Sequence, residues 1–387
     1  MRITVDGFED VHRVQQARYP VLEPRWQPVH TIYVPADLFS SSTPSSWGGQ
    51  AFDLMKAHLP DAAAMAEVFE LPAGLAADVH ARVAAKLAAE PVEDLRVDFE
   101  DGYGVRPDAE DGDAVAAASA LARLHAEGGL PRRWGLRVKS FADGDPGRSV
   151  RTLELFLTEV VTRAGALPPG FTLTFPKVLM EEYLGQFCEV LAALESRLAL
   201  PSPVRFEIQV EAPQTVMFLR ADLAESLGGR LAAAHFGVFD YTAALGLPPH
   251  EQRLDHPACD HARHVMQTAF AGTGVELSDG SLAASPASAS TEDVHALWRR
   301  HAALVRHSLS HGFYQGWDMH PSHLVSRFAT VYAFHLAHYD AHAARVRAWE
   351  ERRAADGGVL DEPATIKTLV AALHRADSAL SPASPKA

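Results

Sequence analysis

Eight short β-rich runs, each followed by a polar or glycine-rich turn and then an Ala/Leu-rich helical stretch, predict an α/β fold built as a (β/α)8 TIM barrel. The units span about 290 residues, which suits a closed parallel barrel. No G-x-G-x-x-G follows an early strand, which disfavours the doubly wound open sheet that is the main alternative.

Residues 1–30 read as an N-terminal lead-in closed by Pro20, Pro24 and Pro28. The expected strands are 30–34, 95–99, 134–138, 171–175, 205–210, 233–237, a weaker run at 268–271, and 312–316. Each is short and rich in β-branched or aromatic residues, the composition that packs on a pleated surface. Helical patterns lie between them at 115–125, 150–164, 183–200 and 215–227. Two longer helices are expected at 291–310 and 321–353, the second ending near Gly357-Gly358. A serine-rich stretch at 281–290 reads as a loop. The organisation is therefore a lead-in at 1–30, a barrel at 31–333, a C-terminal helical extension at 334–377 and a disordered tail at 378–387.

Composition narrows the function. Lys+Arg number 35 against 49 Asp+Glu, a net charge of −14, which argues against a nucleic-acid binder that must neutralise phosphates. No stretch approaches the roughly 18 apolar residues of a membrane span. The first ten residues lack the basic-then-apolar layout of a signal peptide. The two cysteines, Cys188 and Cys259, are far apart and outside any CxxC pair, which fits a reducing compartment. A cytoplasmic protein is expected.

In a parallel barrel the chemistry sits at the C-terminal strand ends. Asp98, Glu100 and Asp101 follow the second strand, and Arg137 and Lys139 fall on one side of the third. The fourth ends in Lys177, the fifth in Glu211 and the sixth in Asp240, while Asp318 and His320 follow the eighth. Glu211 and Asp240 are separated by 29 residues (240 − 211), about one βα unit, so they belong to neighbouring strands. Two carboxylates that leave positions open for water and substrate suit Mg2+, a hard ion that keeps part of its hydration.

These motifs resemble, in order, those of the citrate lyase beta-subunit / HpcH/HpaI aldolase superfamily within the phosphoenolpyruvate/pyruvate barrel group. Thr31-Ile-Tyr-Val-Pro-Ala36 resembles its L-Y-V-P-G, and Val97-Asp-Phe-Glu-Asp-Gly102 its D-L-E-D-A-V. Leu136-Arg-Val-Lys139 stands for V-R-V-N, and Pro176-Lys-Val178 for P-K-V. Val210-Glu-Ala-Pro-Gln-Thr215 stands for I-E-T-A, residues 236–246 for F-G-x-E-D-Y-x-x-D-L-G, and Met319-His-Pro321 for I-H-P. The matches run from Thr31 to about Ala333.

The resemblance implies Glu211 and Asp240 as ligands of Mg2+, or of Mn2+ in its place. It implies Arg137 as the clamp on a substrate carboxylate, and Glu100 and Asp101 as groups orienting metal-bound water. Lys139, Lys177 and Pro213 join Arg137 as the substrate-binding set, and His320 joins the catalytic one. The implied activity is that of a carbon–carbon lyase or aldolase acting through a metal-stabilised enolate of a 2-oxo acid, which a hydroxyacyl-CoA also yields. The substrate partner is then a 2-oxo or hydroxy acid or an acyl-CoA. Phosphoenolpyruvate-type phosphoryl or ester chemistry, and a barrel that binds metal and oxo acid without turnover, are the alternatives. Lys139 replaces the family's Asn, Phe239 an acid and Ala244 the Asp of D-L-G, which leaves substrate identity open.

Other candidates carry less. The 20 histidines include His256, His261 and His264, and the spaced set His335, His338 and His342 on one helix face, both read as solvated. His235 lies near a strand end and is weighed as an acid/base group against a structural one. The 40–49 stretch, Ser-rich and ending in Trp47-Gly48-Gly49, is weighed as an anion cradle, a lid or a linker. The helices at 291–310 and 321–353 exceed what closing one barrel requires, so a homo-oligomer is expected. Light scattering at micromolar concentration checks this, a monomer being the contrary result.

Overall fold

The computed structural model describes residues 5–20, 22, 25–351 and 361–381. Its eight strands are β1 (His30–Pro35), β2 (Asp94–Asp98), β3 (Arg133–Arg137), β4 (Phe171–Phe175), β5 (Phe206–Val210), β6 (Leu231–Phe236), β7 (Glu276–Ser278) and β8 (Gly316–Asp318). They form one sheet in the order β7-β6-β5-β4-β3-β2-β1-β8, with parallel neighbours, which is the (β/α)8 TIM barrel with additional C-terminal helices.

The helices before β2 are α1 (Phe8–Arg18), α2 (Thr43–His58), α3 (Ala62–Phe69) and α4 (Ala73–Ala89). Between strands come α5 (Glu110–Ala126), α6 (Pro146–Ala164), α7 (Glu182–Leu198), α8 (Pro213–Phe218), α9 (Leu223–Ser226), α10 (Val238–Ala244), α11 (Pro257–Phe270) and α12 (Thr291–Ser310). The last are α13 (Pro321–Glu350) and α14 (Pro363–Leu380). None of the described helices is long and apolar enough to cross a membrane.

Four local expectations are corrected. The run at 268–271 is the end of α11, whose buried residues Cys259, Ala262, Arg263, Met266, Ala269 and Phe270 recur at helical spacing; β7 follows at Glu276–Ser278. The eighth strand starts at Gly316, where the 312–316 run was expected to end. The 215–227 helix is two short ones, α8 and α9, interrupted at residues 219–222. The Ser-rich 40–49 stretch is helical from Thr43, with Pro44 in the first turn, where its missing N–H costs nothing. From Thr43 onward the stretch is therefore helix and not a flexible loop. At the C-terminus α14 includes Ser378–Leu380; the rest of the expected tail, 382–387, lies outside the described residues.

The chain divides into two compact units. The first comprises α1, residues 32–41 and 94–281, and so carries β2 to β7. Its strands alternate in character. On β2, Leu95 and Val97 are apolar while Asp94, Arg96 and Asp98 are charged, and all five are buried. Successive side chains point to opposite faces, so one face packs against helices and the other fills the barrel with polar groups. There Arg96 Nη2 donates to Glu207 Oε2 at 2.8 Å and also pairs with Asp94. Thr174 Oγ1 and Tyr33 Oη donate to Glu207 at 2.5 and 3.2 Å, and His235 Nε2 lies 3.3 Å from it. The desolvation cost of such a buried arginine offsets much of its attraction to the two carboxylates.

The second unit comprises residues 24–31, 42–93 and the chain from Leu282 onward. Its core joins Met55, Met65, Phe69, Val79 and Val83 to Trp298, Val305, Leu324 and Phe328, the buried stripes of α2, α3, α4, α12 and α13.

Candidate active site

The first unit collects charged groups at the C-terminal ends of β2 to β6. Asp98, the last residue of β2, organises the cluster. Its Oδ1 and Oδ2 accept from the Glu100 and Gly102 N–H groups, each at 2.9 Å, which turns the chain sharply after the strand. The same oxygens accept from Arg137 Nε at 2.6 Å and Nη2 at 2.7 Å, a bidentate pair across β2 and β3 where the two residues are register partners. Arg137 Nη1 then faces Glu100 Oε2 at 3.2 Å and Gln209 Oε1 at 3.3 Å, and its guanidinium lies 5.0 Å over the Tyr33 ring. The fork expected to clamp a substrate is thus taken by Asp98, and the Nη1 edge is the one turned toward the other site carboxylates.

Lys177 connects the remaining acids. Its backbone sits in the left-handed region at φ 47°, a conformation that costs a non-glycine residue and persists only where surroundings fix it. In that pose its N–H donates to Glu211 Oε1 at 2.7 Å, while its Nζ reaches Glu100 Oε1 at 2.6 Å and Asp101 Oδ1 at 2.5 Å. Burial works against the ammonium, but Glu100 and Asp101 hold its pKa above the ordinary lysine value, so it stays charged. Burial also opposes the Asp101 charge, yet the Lys177 hydrogen bond keeps that carboxyl below its usual range.

Glu211 is 3% exposed. Burial foremost, then the charge of Glu100, push its carboxyl up to about 8, with Asp240 adding to the effect. Burial likewise lifts Glu100 to about 7 against the pull of Arg137. Asp240, in the first turn of α10 and exposed at the mouth, is raised by its partial enclosure against the pull of Lys177. A side chain on Gly237 would place its Cβ 2.5 Å from Glu211 Cβ and 2.7 Å from Oε2, so only glycine leaves room for this carboxylate. Gly237→Ala is expected to displace the Glu211 carboxylate and to destabilise the fold by about 1–3 kcal/mol, the usual cost of overpacking a buried site. Thermal melts of the variant against wild type check it.

Lys139 is anchored on backbone carbonyls beside the cavity. Its Nζ donates to the Phe99 and Gly104 carbonyls at 2.6 and 2.7 Å and lies 3.9 Å from Glu110. It therefore ties down the turn that carries Glu100 and Asp101. A cavity of about 450 Å³ opens beside this turn, bounded by Glu100, Asp101, Lys139, Ser140, Arg148 and Lys177. Pro213 occupies the first turn of α8 directly after Glu211 and Ala212.

His320 caps α13, its Nδ1 accepting from the Ser322 N–H at 3.2 Å, which leaves the proton of the neutral ring on Nε2. His235 is fully buried, burial depressing its pKa, and it takes the structural role rather than the catalytic one. His256 caps α11 through the Ala258 N–H, and His261 and His264 are exposed, as expected of a solvated face. His335 is buried, so the 335/338/342 face is not wholly solvated.

In the second unit His301, Asp318 and His323 bring ligand atoms within 4.8 Å of one another. Their atoms are already engaged. Asp318 accepts the Arg327 fork, with Nη2 at 2.8 Å, and lies 3.2 and 3.3 Å from His30 Nδ1 and His301 Nε2. His323 uses both ring nitrogens, on the Ala284 carbonyl at 2.8 Å and the Met319 N–H at 3.3 Å. A bidentate arginine on the one carboxylate disfavours a cation there.

The fold is a parallel (β/α)8 barrel with charged groups gathered at its strand ends, and solved structures share that fold. The chain is similar to a citrate lyase of Burkholderia xenovorans LB400, with TM-score 0.61 and 18% identity over 95% of this chain and 96% of that one. It is also similar to Haloferax volcanii malate synthase in its magnesium/glyoxylate complex, with TM-score 0.51, 13% identity and coverage of 91% and 99%. The pyruvate/acetyl-CoA ternary complex of that enzyme gives 0.53, 12%, 92% and 91%. These likenesses bear out the barrel that the motifs implied. The chain belongs to the family described as a domain of unknown function, DUF6986, whose model matches residues 8–381. No curated protein matches the sequence.

Proposed function

We propose that the chain is a Mg2+-dependent enzyme that breaks or forms a carbon–carbon bond through the enolate of a 2-oxo acid, with Glu211 and Asp240 as the ligands. One observation carries this reading. Four cations, Arg137, Lys139, Arg148 and Lys177, share the strand-end cluster with six carboxylates, Asp98, Glu100, Asp101, Glu110, Glu211 and Asp240. The resulting charge deficit, and the raised carboxyl of buried Glu211, fit a divalent cation held by oxygen donors. Bound there, Mg2+ supplies Lewis-acid stabilisation of the charge that develops on the substrate's oxo group.

The chain's own groups do the rest. Arg137, with one edge fixed by Asp98, presents Nη1 to the substrate carboxylate. Lys177, kept charged by Glu100 and Asp101, orients them and the anion and does not form a Schiff base, which needs a neutral amine. Glu100, pushed to about 7, is the member of the set poised to exchange a proton at Oε1 or Oε2 near neutrality. The similar malate synthase, described with magnesium and glyoxylate and with pyruvate and acetyl-CoA, supports a 2-oxo acid as one substrate. Where that acid is glyoxylate, which has no α-hydrogen, the enolate would be that of an acyl-CoA partner and the oxo acid its electrophile.

The test is a screen of the purified protein, with Mg2+ and with chelator, for release of pyruvate, glyoxylate or oxaloacetate from hydroxy acids and hydroxyacyl-CoA esters. Metal-dependent release supports the proposal. Metal-dependent oxo-acid binding without turnover favours a binding barrel, and neither result is compatible with a metal-free site. Arg137→Lys is expected to weaken 2-oxo acid binding by roughly tenfold or more, because an ammonium cannot hold the bidentate Asp98 pair and present a further N–H to the substrate at the same time. Wild-type affinity in that variant would remove Arg137 from the site.

A further inference from the structure

We propose that the cleft between α13 and α14 is a second binding site, for a compact oxyanion. The cleft lies wholly in the second unit and shares no residue with the barrel-mouth carboxylates. It encloses about 150 Å³ and is walled by Tyr314, Phe334, His335, His338, His342 and Arg375. The guanidinium of Arg375 lies 4.4 Å over the face of Tyr314, and its Nε is buried without a hydrogen-bond partner.

No described carboxylate forms an ion pair with Arg375. Two acids nearby are turned to other groups: Asp377 on α14 accepts from the Tyr339 hydroxyl at 2.7 Å, and Asp361, before α14, pairs with Arg345. A guanidinium held in a partly closed cleft with an unsatisfied N–H is costly unless an acceptor arrives. The surrounding imidazoles supply further polar edges. His335 stacks on Tyr314 at 6.3 Å, and His338 on His342 at 5.8 Å. Burial, reinforced by the charge of Arg375, holds His335 down to about 4, so at neutral pH it offers an N–H rather than a second full charge.

Size and sign select the ligand. The volume equals roughly five water molecules at about 30 Å³ each, room for phosphate, sulfate or a short monocarboxylate. The uncompensated arginine disfavours a metal ion on the His338/His342 pair. Rings on the walls suit the apolar end of a carboxylate, while the fork of Arg375 suits either oxyanion.

The full-length chain is titrated by calorimetry with inorganic phosphate, sulfate and acetate, up to about 10 mM, without divalent metal. At least one anion should bind near one per chain. Tighter phosphate or sulfate binding assigns an inorganic ion and tighter acetate binding a carboxylate, and either supports the site. Arg375→Met and the cavity-filling Ala372→Leu, at an α14 residue that also lines the cleft, should each weaken binding at least tenfold, while Glu211→Ala binds as wild type. No binding by any of the three anions, survival of binding in Arg375→Met, or loss in Glu211→Ala instead would overturn the proposal. Should circular dichroism show both pocket variants unfolded, phenylglyoxal labelling of the wild-type chain decides. Anion-dependent protection of Arg375 supports the site, and equal labelling with and without anion refutes it.

Discussion

Glu211→Ala and Asp240→Ala are each expected to abolish Mg2+-dependent binding of pyruvate or glyoxylate while leaving a folded barrel. Mg2+ dehydrates reluctantly and is held by few protein carboxylates, so the loss of one of two leaves too little to compete with water. Glu211 also accepts from the Lys177 N–H, so its removal frees the strained backbone at that residue as well. The pH behaviour of the metal-free protein gives an independent reading. Glu211 is raised to about 8 in the fold, above an unfolded value near ~4.3. The folded state therefore binds the extra proton between those limits, and stability falls as pH rises through that window. Added Mg2+ should relieve this loss, and Glu211→Gln should remove it, raising the metal-free melting temperature at pH 8 by at least about 2 °C. Calorimetric titration and thermal melts with and without metal measure both effects. Wild-type, metal-dependent binding in both alanine variants would place the site elsewhere.

How much of this was legible in the sequence depends on which interactions are local. Glu100, Asp101, Lys177 and Glu211 were readable because each follows a short apolar run, and chain direction alone puts such residues at the C-terminal face of a parallel barrel. The partnership of Asp98 with Arg137 was not, because it needs the register of β2 against β3, a tertiary property. Gln209 and Tyr33, which flank Arg137, were missed for the same reason. Nothing local pairs Arg96 with Glu207, 111 residues apart in the chain; only the barrel interior brings them together. Helix α2 was hidden by its serines and glycines. Its register is set by distant packing, Gly48 lying so close to Pro91 that a Cβ would come within 2.5 Å of the ring, with Ala51 and Met55 buried behind it. β7 is three residues long, too short for any periodic signal.

The largest stability effect is expected at Asp318, the last residue of β8. Its carboxylate is buried and accepts from Arg327 while lying beside His30 and His301. Asp318→Asn keeps the shape but leaves the Arg327 charge uncompensated, which costs about 3–5 kcal/mol when one partner of a buried pair is removed. A chain of this size should then melt roughly 4–6 °C lower. The pH dependence follows from three groups with one sign. Burial would raise the Asp318 carboxyl, but Arg327 and the two histidines hold it well below its usual value, so its contribution is present above about pH 4 and lost as pH falls further. Burial depresses His301, and depresses His323 to about 3, so the unfolded chain takes up protons below about pH 6.5 that the folded chain refuses. Stability should therefore fall steadily from about pH 6.5 toward acid. In Asp318→Asn the part of the slope below about pH 4 should vanish while the histidine part persists. Melts from neutral to acid pH on both proteins separate the two. A variant within about 0.5 kcal/mol of wild type, the range of an ordinary surface change, would mean that the Arg327–Asp318 pair does not hold this unit together.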